Sequence, residues 1–207
     1  MQAKPVIRIP TELPVMALSN AVLFPHALLP LHIFERRYRT MLEHSLGGDR
    51  MFSVALMKPG VSEAREISDL FPIAGVGLIR ACVGNQNGTS NLILQGLARI
   101  RLLEWTQLKP FRIARAAVLE SGVSNSIEAD ALAAKVKELC VRIQQLGVPL
   151  SPNLTEQLQK IEDPEVLADV IAAALVTEAA QRQQLLEVAD VCDRLRLLIQ
   201  LLRAQEG

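Results

Sequence analysis

Aromatic residues are scarce in this 207-residue chain: Phe, Trp and Tyr together make up 3% of it. Platforms on which nucleobases could stack are correspondingly few. Neither sign of charge dominates, since 22 Lys and Arg stand against 22 Asp and Glu. The chain therefore lacks the overall basic excess that non-specific nucleic-acid binding draws on. Its cysteines, Cys82, Cys140 and Cys192, are too widely separated for the close pairs of a zinc site, and they read as reduced and mostly core. No stretch reaches the roughly 18 consecutive apolar residues of a membrane span. Pro5, Pro10 and Pro14 interrupt the N-terminus where a signal peptide needs an unbroken apolar run, so a cytoplasmic protein is expected. There is no Gly-x4-Gly-Lys-Ser/Thr phosphate loop. Ser19, Ser53 and Ser90 have no His and Asp partners at a recognised spacing.

What is present is a large apolar fraction, 50% of the residues, enough for one large domain or two small ones burying roughly 70% of the unfolded surface. Residues 1–11 read as an extended arm with an edge strand around Val6–Ile9, because prolines exclude a helix. Leu13–Leu18 and Ala27–Ile33 read as an apolar hairpin about Asn20 and Phe24-Pro25-His26, with Pro30 confining the second strand to an edge or a bulge. A helix follows. It begins at Glu35-Arg36-Arg37, carries Tyr38, Met41, Leu42 and Ser45 on one face, and takes Gly47-Gly48 as a left-handed stop. Further strands are expected at Met51–Met57, Gly75–Val83, Thr89–Gln95, Leu97–Glu104 and Phe111–Leu119. Gly84-Asn85-Gln86-Asn87-Gly88 should form a hairpin turn and Gly96 a bulge or bend. About six to eight strands with one helix suggest a small, closed or nearly closed β-barrel.

At Ser121 the hydrophobic period lengthens from about two to about 3.6. The boundary is placed at Glu120–Asn125, giving a barrel subdomain at 1–120 and a helical subdomain at 121–207. The first helix there presents Leu132, Val136, Leu139, Cys140, Ile143 and Leu146, opens on an Asn125–Glu128 capping pair and closes at Gly147 and Pro149. Ser151-Pro152 and Asp163-Pro164 mark two more helix starts. A short helix follows Thr177, and a last one starts at Asp190 with Val191, Leu195, Leu198, Ile199 and Leu202 on one face. The fold class is α+β.

The ordered series LPVMALSNAVLFPHALLPLHIFERRYRTML, GVGLIRA, LILQGLARIRLLE, EDPEVLADVIAAAL and QRQQLLEVADVCDRLRLLIQLL resembles the N-terminal substrate-binding domain of the Lon protease family. The likeness runs from about Thr11 to Leu202. It implies a PUA-like β-barrel followed by a helical bundle, a module that engages substrate proteins and helps subunits associate. A similar module in cereblon is a protein-interaction platform. The chain ends at Gly207 without an ATPase or a Ser-Lys protease domain, so proteolysis is expected to come from another chain, such as a separate Lon-type protease.

The leading expectation is therefore a non-catalytic module that binds exposed or unfolded polypeptide, or acts as an adaptor, through a groove between barrel and bundle. Phe24, Phe34, Phe71, Trp105 and Phe111 are the candidate peptide-binding residues, four of them beside turns or strand ends. The alternative is RNA binding through the barrel by an arginine stripe of Arg80, Arg99, Arg101, Arg112 and Arg115. Strand alternation favours a plainer reading, with Arg99 and Arg101 facing solvent while Ile100 and Leu102 face the core. His26, His32 and His44 lack a carboxylate or cysteine at ligand spacing, so no metal, cofactor or catalytic group is expected. An enzyme with an unseen site is the third reading. The Leu197–Leu201 face would permit a homodimer.

Overall fold

A computed structural model of the chain describes residues 8–146 and 152–204. The strands are β1 Glu12–Leu18, β2 Leu28–Ile33, β3 Met51–Leu56, β4 Ile73–Gly84, β5 Ser90–Gln107 and β6 Ile113–Leu119. Helix α1, Arg36–Gly47, lies between β2 and β3. The helices that follow the strands are α2 Ser126–Gln145, α3 Pro152–Lys160, α4 Pro164–Leu175, α5 Ala179–Glu187 and α6 Val191–Arg203. No helix among the described residues is long and apolar enough to cross a membrane.

The sheet runs β2-β5-β4-β3-β1-β6, and β6 also pairs with β5. That second pairing closes β5, β4, β3, β1 and β6 into a barrel-like ring and leaves β2 outside it, paired among the described residues with β5 alone. Pro30 stands opposite Ile93 in this outer strand. A proline has no N–H for the β5 ladder, and an edge strand is where that costs least.

The two N-terminal strands do not form the expected hairpin. β1 pairs in parallel with β3 and antiparallel with β6, because a strand apolar on both faces is better buried at the centre of the ring than at an edge. The connection at 19–27 instead crosses the outside of the ring with Leu23 and Phe24 buried. Two glycines admit it. A Cβ at Gly75 would lie 2.0 Å from the Leu23 carbonyl oxygen, and one at Gly96 would lie 1.9 Å from that of Phe24. Gly96 also adjoins the expected irregularity, since Gly77 pairs with Gly96 and Val76 with Ala98, which leaves Leu97 as the extra residue of a bulge. Strand β5 continues through it without a break.

Helix α1 buries Tyr38, Met41, Leu42 and Ser45 as its spacing requires. Its expected glycine stop is displaced: Gly48 has φ −117, and the left-handed residue is Arg50 at φ 59. The Arg50 N–H reaches back to the Ser45 carbonyl at 2.9 Å, so the turn closes on a hydrogen bond further along the chain. Of the N-terminal arm, Arg8–Pro10 have no regular structure, Thr11 is a bend before β1, and residues 1–7 lie outside the described residues.

In the helical part, the Asn125 side chain accepts the Glu128 N–H, and Asp163 accepts those of Glu165 and Val166. The expected Ser151 cap and the Gly147–Pro149 stop lie outside the described residues. Val136, Leu139, Cys140 and Ile143 of α2 are buried, whereas Leu146, just past the last turn, is 63% exposed. Leu197 and Leu201, offered as a dimer face, are half-buried against the bundle's own core. Each buried leucine contributes about 1.5–3 kcal/mol. That core includes Phe24, Leu56 and Ile73 of the strand region alongside residues of all five C-terminal helices. Barrel and bundle thus share apolar packing. Cys140 and Cys192 are buried, Cys82 is half-buried and all three are free thiols. Burial pushes the Cys140 thiol up to about 11, so it packs as a neutral apolar group.

Charges also bind the two parts. On β5 the alternation holds: Ile100 enters the ring and Arg99 points outward. Outward here means underneath α4 and α6, so the expectation that Arg99 meets solvent is overturned, and only 3% of it is exposed. Its Nη1 and Nη2 donate to Asp169 at 2.8 and 2.5 Å, and its Nε donates to the Leu186 carbonyl at 3.0 Å. Arg194 donates to the same carboxylate at 3.1 Å. Gln183 of α5 donates to the Ile73 carbonyl at 2.9 Å.

Asp190 ties the segment after β6 to α6. Its carboxylate accepts the Asp193 N–H at 3.0 Å and the Ser124 N–H at 2.9 Å. The bond from Asp193 is the main reason its carboxyl lies below the ordinary Asp value of 3.8, and the Ser124 bonds act in the same direction. A carboxyl depressed in the folded state stabilises fully above the unfolded value and loses that contribution as pH falls through the folded one. Asp190→Ala should melt a few degrees below the wild type at neutral pH, and the gap should close as pH drops from about 4 towards 2. Thermal melts across that range check it; a gap independent of pH would show that the charge contributes nothing.

Candidate functional site

The outer face of β2, β5 and β4 is roofed at one end by the helices and open at the other. Where roof and sheet meet, a cleft of about 650 Å³ is walled by Leu154 of α3 and by Val170, Ala173 and Ala174 of α4. Its floor comes from Leu28, Arg80, Ala81, Ile93 and Gln95, with His26 and Ala27 at the entry to β2. A second cleft of about 530 Å³ lies further along the same strands, lined by Pro30, Leu31, His32, Val83, Asn91 and Leu92. Both clefts include Ala81 and Ile93. They therefore form one groove. It follows the six residues of β2, a length of about 20 Å at roughly 3.3 Å per residue.

The sequence builds this surface through strand alternation. Leu92 and Leu94 point into the core, so Ile93 and Gln95 face outward. On β4 the register shifts between Ile79 and Ala81. The extra residue at this bulge is Arg80, and a bulge of this kind re-aims a side chain. Arg80 Nε donates to Gln95 Oε1 across the strands. In the outer cleft His32 and Asn91 are joined at 2.7 Å, and the His32 ring stacks on Phe34 with centroids 6.0 Å apart. Leu28 at 62%, Phe34 at 63% and Val83 at 65% exposure put apolar surface along this face. Among the described residues no Asp or Glu lines either cleft. Among the described residues β2 has its only sheet neighbour in β5, so its far edge offers backbone groups outside that ladder, interrupted at Pro30.

The aromatic candidates separate into different environments. Phe34 is exposed and stacks on a groove residue. Phe24, with no exposed surface, and Phe111, at 6%, are core residues, and Phe111 packs on His44 with centroids 5.2 Å apart. As binding residues these two are overturned, since bulky rings beside turns fill the ring–loop and ring–helix seams. Phe71 is half-buried against the bundle core. Trp105 is half-buried with the Arg112 guanidinium 5.8 Å from its ring centre.

The arginines do not line up as a stripe. Arg99 is buried in the Asp169 pair, Arg115 pairs with Glu104 at 2.7 Å, and Arg112 lies 4.0 Å from Glu63. Arg101 is exposed, and only Arg80 lies in the groove. Among the described residues no group of His, Cys, Asp and Glu is arranged to hold a metal ion.

Leu28, Val83, Ala173 and Ala174 were not legible as site residues. Only Leu28 had a signal, the largely apolar run LLPLHI in a strand whose proline called for an edge or a bulge.

Similar proteins share this arrangement of elements. The chain is 29% identical over 194 residues to a Lon protease of Trichlorobacter lovleyi, covering 93% of this chain and 24% of that one. It is 30% identical over 195 residues to one of Anaeromyxobacter dehalogenans, and 27% over 194 residues to that of Escherichia coli. The chain thus spans about a quarter of the length of the curated relatives it matches. The N-terminal domain of the Mycobacterium avium complex Lon protease superposes with a TM-score of 0.72 at 18% identity, covering 93% of this chain and 98% of that one. A Lon N-terminal domain protein from Xanthomonas campestris gives 0.66 at 21%, covering 92% and 98%. These two likenesses establish the α+β fold. Residues 12–204 match the family described as the ATP-dependent protease La (LON) substrate-binding domain, and the chain belongs to that family.

Proposed function

We propose that this chain binds exposed, extended apolar segments of other polypeptides in the groove along β2, β5 and β4. The observation that carries this reading is the continuity of the cleft walled by α3 and α4 with the open cleft further along the strands, with Leu28, Phe34 and Val83 exposed on the same face. An extended segment fits for a physical reason. The groove follows the whole of β2, and burying apolar side chains along it supplies the affinity. Recognition of this kind requires no chemistry from the residues that line it. The segment is held for a catalytic unit to act on, and a Lon-type protease is the unit that family membership suggests.

Fluorescence anisotropy with a labelled, permanently unfolded polypeptide tests the reading. Leu28→Asp and Val83→Asp should each weaken binding about tenfold, because each sets a charge on the apolar floor or rim. Leu103→Asp and Val118→Asp, at residues 48% exposed that line neither cleft, should leave it unchanged. Equal affinity in all four variants would overturn the proposal.

A further inference from the structure

We infer that the groove selects apolar segments carrying an internal Asp or Glu, and that Arg80 is the residue that reads it. The inference rests on the groove being the polypeptide site. Arg80 is exposed on the floor of the inner cleft, and its one hydrogen-bond partner among the described residues is the neutral amide of Gln95. A guanidinium has five N–H donors, so the Nη1 and Nη2 groups remain to be used. Several arginines of the surface are matched by acids, Arg37 with Glu35 at 2.8 Å, Arg115 with Glu104 at 2.7 Å, and Arg196 with Glu128 and Asp193. What sets Arg80 apart from an exposed arginine such as Arg101 is its place on the floor of an apolar cleft. Arg80 has no carboxylate partner among the described residues, and none lines either cleft.

An apolar segment laid over Arg80 removes water from its charge. Unless the segment supplies a counter-charge, that desolvation is uncompensated. A carboxylate restores the balance, and the planar guanidinium suits it in a paired geometry. A lysine at the same position would be repelled, so the site rejects as well as attracts. The acid belongs inside the segment rather than at its end, because the groove extends from Arg80 in two directions. On one side is the helical wall of Val170 and Ala173, on the other the outer cleft of Pro30 and Val83. The bond to Gln95 holds the Arg80 side chain across the floor, which makes Gln95 a positioning residue.

The test uses labelled peptides of one apolar sequence with Glu, Gln or Lys at the central position, titrated against the full chain by anisotropy at low and high salt. A further pair of peptides ends at that position, either as the free acid or as the amide. The Glu peptide should bind about fivefold tighter than the Gln peptide, with the Lys peptide weakest and the differences shrinking in high salt. Arg80→Gln should abolish the Glu preference while keeping the affinity for the Gln peptide, and Arg80→Glu should reverse the order in favour of Lys. Arg80 is exposed, so both variants should fold, and melting curves check that they do. Equal binding of the Glu and Gln peptides by the wild type would overturn the inference and leave the groove standing. So would a uniform loss of all peptides in Arg80→Gln, or tighter binding of the truncated free acid than of the internal Glu. Failure of every peptide to bind the folded wild type would overturn the groove and the inference together.

Discussion

Asp169→Ala should lower the unfolding free energy by about 3–5 kcal/mol, the cost of removing one partner from a buried ion pair. The carboxylate has no exposed surface and accepts from Arg99 and from Arg194, which are themselves 3% and 0% exposed. Without it two guanidiniums remain buried side by side. Burial already pushes the Arg194 guanidinium below its ordinary value, and the Asp169 charge is the largest influence in the other direction. Glu165 lies 3.7 Å from Arg99 and 3.6 Å from Arg194, but it is partly exposed and supplies only part of the compensation. Urea unfolding measures the effect. Replacing the three residues together, Arg99→Met, Asp169→Leu and Arg194→Met, should cost less than the single change, because the fully buried charges are then gone and only the partly exposed Glu165 remains. A loss below about 1 kcal/mol in Asp169→Ala would mean that water or Glu165 neutralises the arginines. Trp105 on β5 and the helical circular dichroism should lose their native signals together, because this network and the shared apolar core join the barrel to the bundle.

Gly96→Val should destabilise by about 3 kcal/mol and weaken peptide binding even where the protein remains folded. The new Cβ would meet the Phe24 carbonyl oxygen at 1.9 Å and its carbon at 2.7 Å, which are backbone atoms of a fully buried residue. The Gly96 N–H and C=O are themselves bonded to Ala27 and His26, at 2.9 and 3.0 Å. The strand and the crossing loop therefore cannot separate without breaking both bonds, and such forced overpacking costs about 1–3 kcal/mol or more. The displaced loop carries His26, Ala27 and Leu28 into the groove, so stability and binding fall together. Gly84→Ala, where an added Cβ meets nothing within 4 Å, is the control. Wild-type melting and binding in Gly96→Val would show that the crossing yields without cost.

Much of the local structure was legible because its causes lie within a few residues. The turn of Gly84–Gly88 joins β4 to β5. Asn125, Asp163 and Asp190 cap helices with bonds reaching two or three residues forward. The proline of β2 requires an edge or a bulge, and the edge is what it has. The apolar spacing of α1 and α6 names the residues they bury. These features need no knowledge of distant chain.

The pairing of β1 was not legible, because Leu13–Leu18 is apolar enough to pair with any neighbour. The choice of β3 and β6 follows from closing the ring. Arg99 shows the same limit at one residue. Alternation correctly sends it out of the barrel, but strand periodicity carries no information about α4 and α6, whose Asp169 and Arg194 lie 70 and 95 residues away and cover it. The groove is a third case. Leu28 and Val83 look like ordinary strand residues until the bundle folds back over one end of their face.

By itself, then, the sequence determined strands β1 to β6 in outline, the helix starts at Asn125, Asp163 and Asp190, the choice of edge or bulge for β2 and the order of elements that resembles the Lon substrate-binding family. Propensity, capping and periodicity act over one turn or one strand. Only the tertiary structure decided which outward faces are covered and which stay open, because that depends on how elements far apart in the chain pack together. It buried Arg99 against Asp169, and it left Arg80 exposed on the floor of an apolar groove.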